Sequence, residues 1–273
     1  MQAAGKVKVA IVGGGVCGLS CAIALAKEGV PVDVFEAAAQ FGEIGAGIGF
    51  GPNAVRVLQD IGILDDVLAK CEEPEINQRS FLFYSGMEGH ELIYDYPVQP
   101  NDLGLGLHRA SFLDALQGAQ GMTLTSTHHH KRCTTVIHAE ATGRPIIHFE
   151  DGTTHEADVV LGADGIKSAV RTAVIGDVAR KAVVYSNTNC YRGLVPIEEI
   201  RAAGVVTDLL RRPVCFVGLD KHLILFPIKK GTVINVVAFT TDRSSPMGTK
   251  PRPDDEPWVV SVSQEELLHE YKD

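Results

Sequence analysis

Three glycines at fixed spacing are the first residues of this sequence that could do chemistry. Gly13-Gly14-Gly15-Val16-Cys17-Gly18 matches G-x-G-x-x-G. In such a turn Gly13 allows a sharp bend off a strand, and Gly15 lets backbone approach a pyrophosphate with no Cβ in the way. Gly18 lets the following helix pack closely on the sheet. A helix that opens there turns free N–H groups and the positive end of its dipole toward phosphate. Glu36 lies 23 residues beyond Gly13, where a carboxylate accepts from ribose hydroxyls and repels a 2′-phosphate. The chemistry is recognition of the ADP half of a dinucleotide. These residues alone do not separate FAD from NAD.

Such a turn works only inside a β-α-β unit, and the flanking pattern supplies one. Residues 7–12 are a short β-branched run of the kind buried on both faces of a parallel sheet. Residues 16–27 read as a helix with Leu19, Ile23 and Ala26 on one face, stopped by Gly29. Residues 32–35 read as the second strand. The crossover between two such parallel strands is right-handed.

Further along, Pro52-Asn53 opens a helix to about residue 60. Residues 79–84 and 91–94 read as strands around a Gly86–Gly89 turn. A helix over 111–119 takes Ser111 as its N-cap. Residues 146–149 and 153–157 form a hairpin whose Asp151-Gly152 predicts a primed turn. A buried strand over 159–161 runs into Gly162-Ala163-Asp164-Gly165. Beyond Tyr185 the pattern changes to strands without helices, over 188–195, 214–217, 223–227 and 233–239. They predict an antiparallel sheet. After Thr240 the chain is polar and proline-rich, and a short helix over 263–271 closes it.

The bulk numbers narrow the classes. Hydrophobic residues make up 45% and charged residues 22%, the balance of a globular chain. A formal charge of −9 with no basic block argues against a nucleic-acid partner. Cysteines at 17, 21, 71, 133, 190 and 215 include no C-x-x-C pair, which predicts reduced thiols and a cytoplasmic location. No run of about 18 apolar residues predicts a membrane span. The glycines after the first apolar run argue against a signal peptide. His128-His129-His130 reads as a solvated loop, since neighbours on an extended strand face opposite ways. No metal site is expected.

A second set of motifs decides the cofactor. Gly162-Ala163-Asp164-Gly165, followed by Ser168 and Arg171, forms another strand-turn-helix. With it stand Leu107-His108-Arg109, the glycine run from Gly45 through Gly47 and Gly49 to Asn53, Tyr191-Arg192-Gly193-Leu194-Val195-Pro196, and residues 222–227. As a set these resemble the FAD-dependent aromatic-ring monooxygenases, most of all the salicylate hydroxylase branch. The resemblance covers essentially the whole chain. It implies an α/β fold, with a Rossmann-like FAD-binding domain of the aromatic hydroxylase type and an antiparallel β-sheet substrate domain. The implied boundaries are 1–73 with 104–180 for the FAD-binding domain and 74–103 with 181–245 for the substrate domain. Residues 246–273 form the polar tail.

The activity implied is hydroxylation of a small phenolic, salicylate-like acid by molecular oxygen through a flavin hydroperoxide, with NADH or NADPH as a transient co-substrate. Gly13, Gly15, Gly18 and Glu36 then hold the ADP end of FAD. Arg109 adds charge at the pyrophosphate, and Gly49 lets backbone approach the ribityl chain or the ring. Asp164 orders its own turn or accepts from a sugar hydroxyl or a water. His222 is the expected base, since an ordinary imidazole titrates near ~6.5. Arg192 is the expected partner of a substrate carboxylate or phenolate. Phe226 stands where related enzymes often carry tyrosine.

The resemblance further implies a return segment with a Gly-Asp-Ala-Ala-His-type motif, and none occurs in the 273 residues. On that reading bound flavin has its ADP half held and its reactive ring partly exposed, and coupled hydroxylation suffers. An unpaired edge there leaves homo-oligomerisation open. The alternative is a truncated, catalytically inactive homologue that binds a nucleotide or a partner.

Overall fold

The structure is a computed structural model that describes residues 7–39, 47–71, 77–78, 80–97, 103–120, 125–176, 178–181, 183–250, 257 and 259–272. The elements run β1 (Val9–Val12), α1 (Val16–Lys27), β2 (Val32–Phe35), β3 (Gly47–Phe50), α2 (Pro52–Asp60), α3 (Leu64–Lys70), β4 (Asn77–Gln78), β5 (Leu82–Ser85) and β6 (Leu92–Asp95). Next come β7 (Leu103–His108), α4 (Arg109–Gln120), β8 (Thr125–His128), β9 (Cys133–His138), β10 (Pro145–Phe149), β11 (Thr154–Glu156), β12 (Val159–Gly162), α5 (Ala169–Ile175) and α6 (Val178–Lys181). The chain ends with β13 (Thr188–Pro196), α7 (Ile197–Ala202), β14 (Val214–Val217), β15 (Lys221–Ile228), β16 (Val233–Thr241) and α8 (Gln264–Glu270). Residues 1–75 with 107–183 form one compact unit, and residues 76–106 with 184–273 form another.

The first unit is built on a parallel sheet in the order β12-β1-β2-β8. All four residues of β1 are buried, because both faces of the sheet are covered. Ala10 and Val12 pack with Phe35 against Val136, Ile147, Phe149 and Ala157 of the antiparallel β11-β10-β9 sheet and its flank. Val9 and Ile11 point the other way, where α1 lies on β1 and β2. Each large side chain sealed in this way contributes about 1.5–3 kcal/mol.

Three local expectations change here. Helix α4 starts at Arg109, so Ser111 sits inside it rather than capping it, with Oγ 3.5 Å from His108 Nδ1. In the β10–β11 hairpin only Gly152 has positive φ, at 81°. The Gly152 N–H donates to Phe149 O and the Phe149 N–H to Thr153 O. The connection is therefore an ordinary turn followed by a glycine bulge, not a primed turn. His128 is no loop residue: it ends β8, stacks on Phe35 at 4.8 Å, and places Nε2 3.0 Å from Asp33 Oδ1.

The second unit is a six-stranded sheet ordered β13-β16-β15-β14-β5-β6. The four strands β13, β16, β15 and β14 pair antiparallel as expected, and β5 then joins β14 in parallel, with β6 antiparallel to β5. Helix α7 corrects the expectation that no helix interrupts these strands. It follows β13 directly, and Ile197 and Ile200 pack with Leu82, Leu209, Val214, Leu225 and Ile234 into a core on one face. The early strand begins at Leu82; Arg79 lies outside the described residues, as does Gly45. Among the described residues no helix is long and apolar enough to cross a membrane.

Arg212 locks the sheet's far edge and was not foreseen. It is 7% exposed and donates to the carbonyls of Ser80, Phe81 and Tyr96, with Nη1 2.7 Å from Asp95 Oδ1. Replacing it by methionine removes the guanidinium donors from the Ser80 and Tyr96 carbonyls and from Asp95, while the Phe81 carbonyl keeps the Tyr96 N–H. Urea unfolding is expected to show a loss of about 2–4 kcal/mol; a loss below about 0.5 kcal/mol would mean water replaces the guanidinium freely.

Candidate functional site

The glycine turn is shaped by atoms far away in sequence. Gly13 has φ of 104°, and a Cβ there would lie 2.3 Å from the Ala163 carbonyl oxygen. A Cβ on Gly18 would lie 1.9 Å from the Gly13 carbonyl oxygen. Both glycines are demanded by the protein's own backbone. Gly15 is different. It has ordinary φ of −73°, and among the described residues a Cβ built there meets nothing within 4 Å. The fold does not need a glycine at 15, so its value lies in open space left beside the helix end.

That helix end is left for a ligand as well. Helix α1 has Gly15 as its N-cap, no side-chain cap and no acid in its first turn. Its first N–H groups thus receive no side-chain cap, and the positive dipole end has the Glu36 carboxylate nearby. Glu36 stands at the C-terminal end of β2, pinned by two backbone donors: Gly14 N–H to Oε2 at 2.7 Å and Ala38 N–H to Oε1 at 2.8 Å. Each carboxylate oxygen keeps a further lone pair for a hydroxyl.

The Asp164-Gly165 turn is the other wall. Asp164 accepts from Ser168 Oγ at 2.5 Å and from the backbone N–H groups of Ala169 and Val170 at 2.7 and 3.3 Å. Ser168 Oγ accepts in turn from the Arg171 N–H at 2.9 Å. Both Asp164 oxygens thus accept from the first turn of α5, Oδ2 twice and Oδ1 once, and the carboxylate compensates that helix dipole. The two glycine turns meet at Ala163, whose carbonyl lies against Gly13 and whose Cβ lies 3.3 Å from the position a Gly18 Cβ would take. Ala163 was missed because nothing in its type marks it; only a contact across 150 residues does.

Gly49 lies in β3 and, like Gly15, meets nothing within 4 Å of a built Cβ among the described residues. Arg109 is half-buried as the first residue of α4. A dinucleotide's ADP half fits this arrangement: open backbone at Gly15, an uncapped helix end for the pyrophosphate, and a fixed carboxylate for the ribose.

In the second unit, His222 and Arg192 lie on one sheet face. Register places His222 opposite Phe239, and Phe239 opposite Cys190. Arg192 lies opposite Val237, and Val237 opposite Ile224. This is the face turned away from the Leu225–Ile234 core. The two Cα atoms are two strands and two residues apart, about 12 Å. His222 stacks on Phe239 with centroids 4.4 Å apart and planes 12° from parallel. Burial pushes its imidazole below the usual histidine range. Arg192 is exposed, with Nε 3.5 Å from Cys190 Sγ. Neither Phe239 nor Cys190 was foreseen, since both enter through strand register.

Comparison with known proteins gives the family. The FAD binding domain family matches residues 6–201. The chain is 36% identical over 269 residues to a salicylate hydroxylase of Pseudomonas putida, covering 96% of this chain and 60% of the relative. It is 37% identical over 258 residues to an FAD-dependent monooxygenase of Monascus ruber, covering 87% and 55%. Among solved structures, a salicylate hydroxylase substrate complex superposes with a TM-score of 0.74 at 30% identity, over 98% of this chain and 63% of that one. The chain thus spans less than two thirds of the length of these relatives. The match spans the glycine turn, Glu36 and the Asp164-Gly165 turn, and the chain belongs to the FAD binding domain family.

Proposed function

We propose that the chain binds FAD by its ADP half and serves an NAD(P)H-dependent monooxygenase that hydroxylates a small phenolic acid of the salicylate type. The observation that carries the reading is the open space at Gly15 beside an uncapped helix end, with Glu36 fixed next to it. In this reading Gly13 and Gly18 shape the turn, α1 faces the pyrophosphate, Glu36 takes the ribose hydroxyls, and Arg109 adds a positive charge. Gly49 leaves room for the rest of the cofactor, and Asp164 holds the α5 turn in place. Bound FAD supplies the redox chemistry, carrying electrons from the nicotinamide to oxygen. Overall, one oxygen atom enters the ring and the other leaves as water, with NAD(P)H oxidised.

The chain's own residues handle the phenol. Its proton moves to an imidazole nitrogen of His222, which raises electron density at the ring carbons ortho and para to oxygen. The apolar neighbours of His222 keep the imidazole neutral and ready to accept. Arg192 binds the substrate carboxylate through the guanidinium N–H groups that Cys190 does not use. Six free cysteines suit a reducing compartment such as the cytoplasm.

The test is substrate-dependent oxidation of NADH or NADPH by the FAD-loaded chain, with heavy-isotope oxygen traced into the product. Salicylate should accelerate oxidation and acquire one labelled atom. Arg192→Met should raise KM for salicylate at least tenfold, about 1.4 kcal/mol, while leaving an uncarboxylated phenol unaffected. Nicotinamide oxidation that ignores the phenol, with no hydroxylated product, would leave only nucleotide binding.

A further inference from the structure

The proposed base sits at a strand start, which is a weak place from which to hold a side chain. Lys221 opens β15 directly after Asp220, whose φ is 58°, and the strand ladder closes there with the Thr241 N–H on Asp220 O. The backbone around His222 nevertheless has a second support. Tyr271, one residue past α8, donates its hydroxyl to the carbonyls of both His222, at 3.1 Å, and Phe239, at 2.7 Å. A single proton is shared between the two acceptors. These are the two residues whose rings stack and whose Cα atoms are partners in the β15–β16 register.

We infer that Tyr271 is a positioning residue: its hydroxyl clamps the two carbonyls and so fixes where the His222 imidazole stands against Phe239. The inference rests on the proposed role of His222 as base. Other contacts hold α8 without touching this pair. Tyr191 donates to Glu266 Oε1 at 3.2 Å, and Lys221 Nζ donates to the Glu270 carbonyl. Ser263 caps the helix, its Oγ accepting from the Glu266 N–H at 3.2 Å. Tyr271 is therefore the contact that joins α8 to the stacked pair rather than merely to the sheet. Burial, with the charge of Cys190 second, pushes its hydroxyl up to about 12, so it remains a donor wherever a histidine can act as base.

The experiment compares Tyr271→Phe with Tyr191→Phe in the full chain. Histidine-ring NMR reads the upfield ring-current shift that Phe239 imposes on His222, the signal being assigned by its loss in His222→Ala. In Tyr271→Phe the shift should shrink, and kcat for salicylate should fall roughly tenfold with KM nearly constant, because misplacement of a reacting group by a fraction of an ångström costs rate. Tyr191→Phe should move neither reading. An unchanged His222 signal in Tyr271→Phe, or an equal change in Tyr191→Phe, would overturn the inference. So would an unchanged kcat when His222→Ala itself lowers kcat. If His222→Ala leaves kcat intact, the proposed base is wrong, while a moved NMR signal still establishes the clamp.

Discussion

Gly15→Ala is expected to leave the fold untouched and weaken FAD binding at least tenfold, whereas Gly18→Ala is expected to damage the fold itself. The two glycines belong to one motif, but their surroundings differ. Among the described residues a Cβ at 15 meets no atom within 4 Å, so no clash in the folded chain resists it. The same Cβ occupies space beside the α1 N-terminus where the pyrophosphate would lie, and a tenfold loss corresponds to about 1.4 kcal/mol. A Cβ at 18 overlaps the Gly13 carbonyl oxygen at 1.9 Å, and the turn must open to relieve it. That displacement is expected to cost about 3 kcal/mol or more, a sizeable part of a total stability of about 5–15 kcal/mol. Urea unfolding together with FAD titration separates the two effects. Equal destabilisation by both substitutions would contradict the assignment of Gly15 to the ligand.

His222→Ala should depress hydroxylation by about 10²–10⁴-fold, the range for losing a positioned acid–base group, with FAD affinity unchanged. The pH profile carries a second signature. Burial lowers the imidazole below its ordinary value near ~6.5, so the neutral, proton-accepting form persists into mildly acidic solution. The acid limb of kcat/KM should therefore fall below pH ~6.5 and vanish in the alanine variant. The sign for stability follows from the same shift. The unfolded chain binds a proton at His222 more readily, so this residue's contribution is present above the unfolded value and is lost as pH falls through the folded one. Loss of FAD binding in step with hydroxylation would remove His222 from the role of base.

What the sequence disclosed was local. The β1-turn-α1-β2 unit is readable because Val9–Val12, the three glycines and Glu36 lie within one stretch, each with a type only that geometry needs. The closing helix was read over 263–271, but its cap was not: Ser263 and Glu266 carry an S-x-x-E spacing, and Ser263 stands just outside the helix. What stayed hidden depends on partners far along the chain. Gly13 faces Ala163 across 150 residues, and the parallel β14–β5 pairing joins residues about 130 apart. Arg212 and Tyr271 are a buried cation and a terminal aromatic that no spacing rule singles out. Helix α7 is six residues long and too short for a periodic signal. Asp164 was legible as part of a second fingerprint, but its occupation with the α5 N-terminus emerges only from the folded turn.

The most direct test of the cradle is a titration of the full chain with FAD, FMN and ADP, followed by flavin absorbance and fluorescence. In the proposed function the glycine turn and Glu36 recognise the ADP half. FAD should therefore bind one to one with a resolved band near ~450 nm, ADP should displace it, and FMN, which lacks the adenylate, should bind far more weakly. A chain that takes FMN as readily as FAD, or that leaves the FAD spectrum unchanged, would contradict the account.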